Sequence, residues 1–316
     1  MRQNSLLTVL DPAPVLGVSF ANITLLRLDL LGGPAPGNKW FKLRGSLEDA
    51  MARGITRVVS FGGAWSNHLH ALAAVGNAAG LETTGIIRGL PGPLPSAMLE
   101  DAARWGMQLV HVSRDEYRRR ADADYQAALG ARFGPCLVIP EGGASPAGVA
   151  GCRAIGAMLR DGELASRKVV LGVGTGTTLA GITLELGGDW EVIGISVLKG
   201  AVDLPARVSA MVGEAGATDS PRWRLLDGFH CGGFARVSAP LQEFILAFER
   251  VHRIPLEPVY TGKVLFAIHS LRRSGTWNPD TPLVVVHTGG LQGRRGFPWL
   301  SSLVDESKPT PASHRG

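Results

Sequence analysis

The chain has 316 residues, 45% hydrophobic and 19% charged, with a formal net charge of +5. That size and balance suit one large or two modest globular domains and exclude a disordered polymer. No Lys/Arg-rich block marks a nucleic-acid surface, no apolar run reaches membrane-spanning length, and Cys136, Cys152 and Cys231 are too scattered for a zinc site or disulfide framework, so the expected compartment is a reducing cytoplasm.

In chain order, short β-rich runs alternate with helical segments. Thr56–Phe61 reads as a strand, 67–79 as a helix stopped by Gly80, and Glu82–Arg88 as a strand. A Pro/Gly loop at 89–95 leads to a helix over 96–105, a strand over 107–112 and a polar helix over 114–129. The run Arg118-Arg119-Arg120 falls in that helix and reads as a solvated face. Cys136–Pro140 closes the first series. The second series has helices at 145–160, 177–186, 241–253 and 261–272, and strands at 167–173, 191–197 and 282–287. The apolar strands RKVVLGV and PLVVVH suit parallel sheets buried on both faces. Glu141–Ser145 is a candidate crossing point between two α/β units, and the segment before residue 45 fits either. The polar tail Glu306–Gly316 is expected to be mobile.

Lysine is scarce, with six among 32 basic residues. Lys168 and Lys199 flank strands, and Lys308 sits in the tail. Lys39, Lys42 and Lys263 remain as candidate amines. Ser46-Leu47-Glu48-Asp49 reads as a helix N-cap, which puts Lys39 and Lys42 beside a positive helix end. Such a neighbourhood lowers an amine's pKa and favours a nucleophile.

Three further constellations lie where strands hand over to helices or loops, the position at which open α/β sheets bind ligands. Phe61-Gly62-Gly63-Ala64-Trp65-Ser66-Asn67-His68 offers hydroxyl, amide and backbone donors to an anion such as a substrate carboxylate. Gly172-Val173-Gly174-Thr175-Gly176-Thr177-Thr178 lacks the lysine of a P-loop and has Thr177 at the third glycine of a dinucleotide fingerprint. It suits a single phosphate without a metal. His287-Thr288-Gly289-Gly290 follows the last buried strand, and Tyr260 opens a helix. An amine together with a phosphate cradle is the equipment of a pyridoxal phosphate (PLP) enzyme.

The stretches GNKWFKL, SFGGAWSNHLHALAA, VGTGTTLAG, EPVYTGK and HTGG resemble, in order, those of the fold-type II PLP-dependent enzymes, in the branch of 1-aminocyclopropane-1-carboxylate (ACC) deaminase and D-cysteine desulfhydrase. The resemblance implies an α/β fold of two open twisted domains, tryptophan synthase β-like. Residues 1–45 and 146–316 would form the large PLP-binding domain and 46–145 the small one, which would close over the substrate. It implies Lys39 as the Schiff-base lysine and Lys42 as a second lysine outside that linkage. Asn67 would hydrogen-bond the phenolic oxygen of PLP, and Gly174, Thr175, Gly176, Thr177 and Thr178 would hold its phosphate. Thr288 would face the pyridine nitrogen. Ser66, Asn67, His68 and Tyr260 would meet the substrate, with Lys39, Ser66 and Tyr260 catalytic.

Three departures stand out. The family's glutamine after Ser-Asn is His68, its basic-acidic segment before the lysine is reduced to Leu26-Arg27-Leu28-Asp29, and the second tyrosine of ACC deaminases has no counterpart in Val284-Val285-Val286. The implied activity is release of sulfide, pyruvate and ammonia from D-cysteine by a cytoplasmic homodimer. ACC deamination is the alternative within the family, and a non-catalytic PLP or amino-acid-binding protein is the alternative from another class.

Overall fold

The computed structural model describes residues 3–215 and 222–300; the tail with Lys308 lies outside them. The first half contains β1 (Leu7–Val9), a small hairpin of β2 (Pro14–Val15) and β3 (Val18–Ser19), β4 (Ile23–Arg27), α1 (Asn38–Ala52), β5 (Arg57–Gly62), α2 (Asn67–Ala78), β6 (Glu82–Arg88), α3 (Ala97–Arg104), β7 (Gln108–Val112), α4 (Arg114–Arg118), α5 (Ala123–Phe133) and β8 (Leu137–Ile139). The second contains α6 (Pro146–Arg160), β9 (Lys168–Val173), α7 (Thr177–Leu186), β10 (Glu191–Ser196), α8 (Leu204–Glu214), β11 (Arg222–Leu226), α9 (Ala239–His252), α10 (Thr261–Arg273) and β12 (Leu283–His287). Among the described residues no helix is long and apolar enough to cross a membrane.

Two sheets organise these elements. The larger has the order β1-β4-β12-β9-β10-β11, parallel except for β1, which runs antiparallel to β4. The smaller has the order β7-β6-β5-β8 and is wholly parallel. Strands β9 and β12 are almost wholly buried because helices cover both faces of their sheet. One face packs Ile155, Leu179, Ile182 and Val208 from α6, α7 and α8; the other packs Phe244, Phe248, Leu265 and Ile268 from α9 and α10. The smaller sheet is covered on one side by Leu43, Leu72 and Leu99 and on the other by Tyr117, Leu129 and Phe133.

This topology places the candidate motifs. Strand β9 has β10 on one side and β12 on the other, and β5 has β6 and β8. The sheet order therefore reverses at both strands, opening a crevice at their carboxyl ends. The glycine-threonine loop follows β9, and Gly63–Ser66 follows β5.

Two local expectations are corrected. Ser46 caps nothing: α1 already starts at Asn38, and Ser46 is buried in its interior. Gly37, at φ 104°, forms a β-bridge with Gly289, and this long-range contact sets the helix start that the Ser-x-x-Asp signature misplaces. The polar helix expected over 114–129 is broken at Asp122, whose extended backbone (φ −72°, ψ 130°) separates α5 from the preceding turn. Strands β1, β4 and β11 and helix α8 had no sequence expectation.

Candidate active site

The site begins with a backbone clamp. Asn38 N–H donates to the Thr288 carbonyl at 3.1 Å, pinning the start of α1 to the end of β12. A Cβ on Gly37 would lie 2.5 Å from that carbonyl, so the approach requires glycine. From this anchored turn Lys39 reaches into a cavity lined by residues of both sheets' loops. Its Nζ lies 3.0 Å from Asn38 Oδ1 and 5.7 Å from the centroid of the Tyr260 ring. Burial, then the positive charge of Lys42, brings the Lys39 amine down to about 7. The side chain is partly exposed, but to the cavity it lines. A large fraction is therefore unprotonated near neutrality.

Lys42 is nearly fully buried, its amine also lowered by desolvation, with Nζ 3.4 Å from Thr175 Oγ1. Thr175 shares a hydrogen bond with Thr177 (Oγ1–Oγ1 3.1 Å), and Thr178 accepts one from Asn38 Nδ2 at 3.0 Å. Helix α7 is preceded by Gly176 at its N-cap position, left-handed at φ 94°, with no side-chain cap. The first N–H groups of a helix have no acceptor inside it. Here they open beside two lysines and the hydroxyls of Thr175 and Thr178. An anionic group of phosphate size fits that arrangement.

Tyr260 lies across the end of β9. A Cβ on Gly172 or Gly174 would sit 3.1 Å from its Cβ or 3.2 Å from its hydroxyl. Behind it, Glu257 accepts from the N–H groups of Val259 (2.8 Å), Tyr260 (2.7 Å) and Thr261, fixing the entry to α10. Burial lifts the Glu257 carboxyl to about 7 despite those donors, and it pushes the Tyr260 phenol up, so the phenol stays protonated at neutral pH. Asn67 Oδ1 accepts from Gln292 Nε2 at 3.0 Å, which leaves Nδ2 to donate into the cavity.

The cavity thus gathers Lys39, Lys42, Asn67, Gly174, Thr175, Gly176, Thr178, Tyr260 and Thr288. Thr177 is fully buried behind it. Two residues depart from expectation. Ser66 caps α2, its Oγ accepting from Leu69 N–H at 3.2 Å, and does not line the cavity. His68 is buried on the inner face of α2, 2.9 Å from Ser60 Oγ, and does not line it either. Burial and the two nearby lysines hold its imidazole at about 3, hence neutral.

His70, Asn38, Gln292 and Glu257 were missed. His70 stands three residues after Asn67 in an expected helix, a spacing that marks the same face. Glu257 precedes Thr261 as a first-turn acceptor would. No sequence signal points to Gln292.

A depressed amine sharing one cavity with an uncapped helix start suits an enzyme that holds an aldehyde cofactor through a lysine and its phosphate through backbone. The profile of the family described as "Pyridoxal-phosphate dependent enzyme" matches residues 10–289. The chain belongs to this family, and its cofactor is pyridoxal 5′-phosphate. It is 29% identical over 282 residues to a Pyrococcus horikoshii protein named "Putative 1-aminocyclopropane-1-carboxylate deaminase", covering 86% of each chain. It is 27% identical over 270 residues to the D-cysteine desulfhydrase of Salmonella choleraesuis, covering 80% of this chain and 82% of that one. A crystal structure of an ACC deaminase homologue superposes with a TM-score of 0.78 at 28% identity over 88% of each chain. Threonine deaminase isoform 2 of Solanum lycopersicum shares the fold, with a TM-score of 0.64 at 14% identity over 97% of this chain and 85% of that one. The fold is therefore that of the fold-type II PLP enzymes.

The Lys39 environment gives a pH expectation. The amine reacts with an aldehyde only as the free base, so the rate of PLP uptake by apoprotein should rise with pH through about 7 and level off above it. Lys42→Met removes a positive neighbour and should move that midpoint upward. Stopped-flow absorbance between about pH 6 and 9 would measure both.

Proposed function

We propose that this PLP enzyme is a lyase or deaminase of small amino acids, with D-cysteine desulfhydrase-like activity: D-cysteine and water give sulfide, pyruvate and ammonia. The observation that carries this reading is the Lys39 amine, unprotonated in large part near neutrality, in one cavity with Tyr260 and the uncapped start of α7. When bound, PLP supplies the aldehyde and the electron sink. Lys39 Nζ holds the cofactor and takes the substrate's α-proton. Thr175, Thr178 and the first N–H groups of α7 hold the phosphate, with Lys42 neutralising it. Asn67 Nδ2 would donate to the cofactor's phenolic oxygen, and Thr288 would meet its ring nitrogen. The start of α2, capped by Ser66, presents the free N–H groups of Asn67 and His68 to the substrate carboxylate. The Tyr260 phenol, kept protonated, donates to the substrate.

ACC deamination, yielding 2-oxobutyrate and ammonia, is the second reading, favoured by the name of the Pyrococcus relative. Against it, Tyr260 is the one tyrosine of three that lines the cavity; Tyr117 and Tyr125 are buried against Glu141 and Glu116. Opening a cyclopropane ring calls for unusual acid or nucleophilic help, so a single tyrosine in the wall counts against this reading. Purified holoenzyme should release sulfide and pyruvate from D-cysteine at least about tenfold faster than it releases ammonia from ACC, a gap of roughly 1.4 kcal/mol in barrier. An assay of sulfide, keto acid and ammonia with D-cysteine, L-cysteine, D-serine and ACC decides it; the reverse ranking establishes the second reading.

We further propose that residues 46–145 form a small domain that closes over the site, although α1 runs unbroken through residue 45. A cytoplasmic homodimer is the proposed assembly, checked by light scattering of the purified protein.

A further inference from the structure

Asn67, His70 and Ala71 share one face of α2, and all three line the cavity. His70 is held from behind. Its Nε2 lies 3.0 Å from Asp101 Oδ2 on α3, and its ring stands edge-on to Trp105, with centroids 4.8 Å apart at 74°. Asp101 is itself paired with Arg104 of its own helix and with Arg295 of the 3-10 segment Leu291–Gly296 after β12. Arg295 above all, and then the hydrogen bond from His70, draw its carboxyl down to about 2 against the opposing effect of burial, so it remains an acceptor and keeps the imidazole proton on Nε2. Nδ1 is left as a lone-pair acceptor. It has no partner among the described residues and, unlike Nδ1 of His68, is not sealed from solvent.

The substrate's α-amine and α-carboxylate have their places at Lys39 and at the start of α2. His70 lies one helical turn beyond that start, about 4.5 Å further along the axis. Burial outweighs the pull of Asp101 and holds the imidazole below its usual pKa, so near neutrality it accepts hydrogen bonds and attracts no anion.

We propose that His70 is a specificity-determining residue whose Nδ1 accepts a hydrogen bond from a hydroxyl or thiol on the substrate's β-carbon, with Asp101 as its positioning residue. The proposal deepens the functional reading above and rests on it. It selects β-hydroxy and β-thiol amino acids over those with a plain alkyl group.

The test is a titration of holoenzyme with D-serine, D-cysteine and D-alanine, and their L-forms, following the cofactor's absorbance change on amino-acid binding. In His70→Phe, serine and cysteine should bind about tenfold more weakly, the effect of a lost hydrogen bond in a closed site, while alanine stays within about twofold. The absorbance without amino acid should be unchanged. Equal weakening of alanine and serine, or no change in either, overturns the proposal. Asp101→Asn tests the positioning without altering the cavity wall. Its apoprotein should lose the Nε2–H tautomer of His70 in histidine 15N NMR, and its holoenzyme should show part of the same serine-over-alanine loss. An unchanged tautomer in that variant overturns the assigned role of Asp101. A parent protein whose absorbance responds to none of these amino acids fails at the level of the functional reading, and the His70 proposal falls with it.

Discussion

Lys39→Ala is expected to abolish the visible absorbance of the bound cofactor and to lower product formation by about 10³-fold or more, because one amine both holds the cofactor and moves the α-proton. Lys42→Ala should retain the absorbance. The two lysines are one helical turn apart but face different partners: Lys39 lies beside Asn38 and over Tyr260, whereas Lys42 reaches Thr175 in the phosphate loop. Loss of Lys42 should therefore loosen cofactor retention, seen as faster release on dialysis, without removing the covalent link. Absorbance that survives in Lys39→Ala and vanishes in Lys42→Ala would exchange the two roles.

The second large effect is expected from a residue that touches no ligand. Gly151→Ala should destabilise the apoprotein by about 3 kcal/mol, the upper part of the range for overpacking. A Cβ at Gly151 would lie 1.9 Å from the Phe41 carbonyl, and backbone of α1 cannot yield as a flexible side chain can. The same seam is tight elsewhere: a Cβ on Gly148 would meet the Gly143 carbonyl at 2.2 Å, and one on Gly181 the Val149 carbonyl at 2.6 Å. Helices α1, α6 and α7 are thus in near backbone contact, and α1 and α7 carry the amine and the phosphate loop. The thermal midpoint should fall by about 4–6 °C, and cofactor affinity should fall with it because α1 must shift. Gly130→Ala in α5 is the control. Nothing lies within 4 Å of its would-be Cβ, so the substitution should stabilise by about 0.5–1 kcal/mol through helix propensity alone. Equal midpoints for the two variants would refute the close-contact argument.

Much of this architecture is legible in the sequence, for identifiable reasons. Strands β9 and β12 read as nearly all-apolar runs because helices cover both their faces, and Gly80 ends α2 at positive φ. The glycine-threonine loop and Lys39 stand out because each combines an uncommon composition with a strand or helix boundary. Other features depend on contacts remote in sequence. The start of α1 is set by Gly289 and Thr288, some 250 residues away, so a local capping signature at Ser46 misleads. His68 and His70 are only two residues apart, about 200° around a helix. One consequently lies in the core and the other lines the cavity, a difference that motif matching alone does not register. Ser66 offers the same oxygen to a cap or to a ligand; the structure shows the cap.

The position of β12 has a consequence for how the protein is made. Among the described residues this strand is the last in sequence, yet it lies between β4 and β9, and no other described strand joins them. Until it emerges from the ribosome, the larger sheet exists as two separate pieces with open edges, and the turn bearing Lys39 has no carbonyl to dock on. Vitamin loading is therefore expected late in biogenesis, and nascent chains stalled before residue 283 should neither acquire the chromophore nor escape chaperone capture.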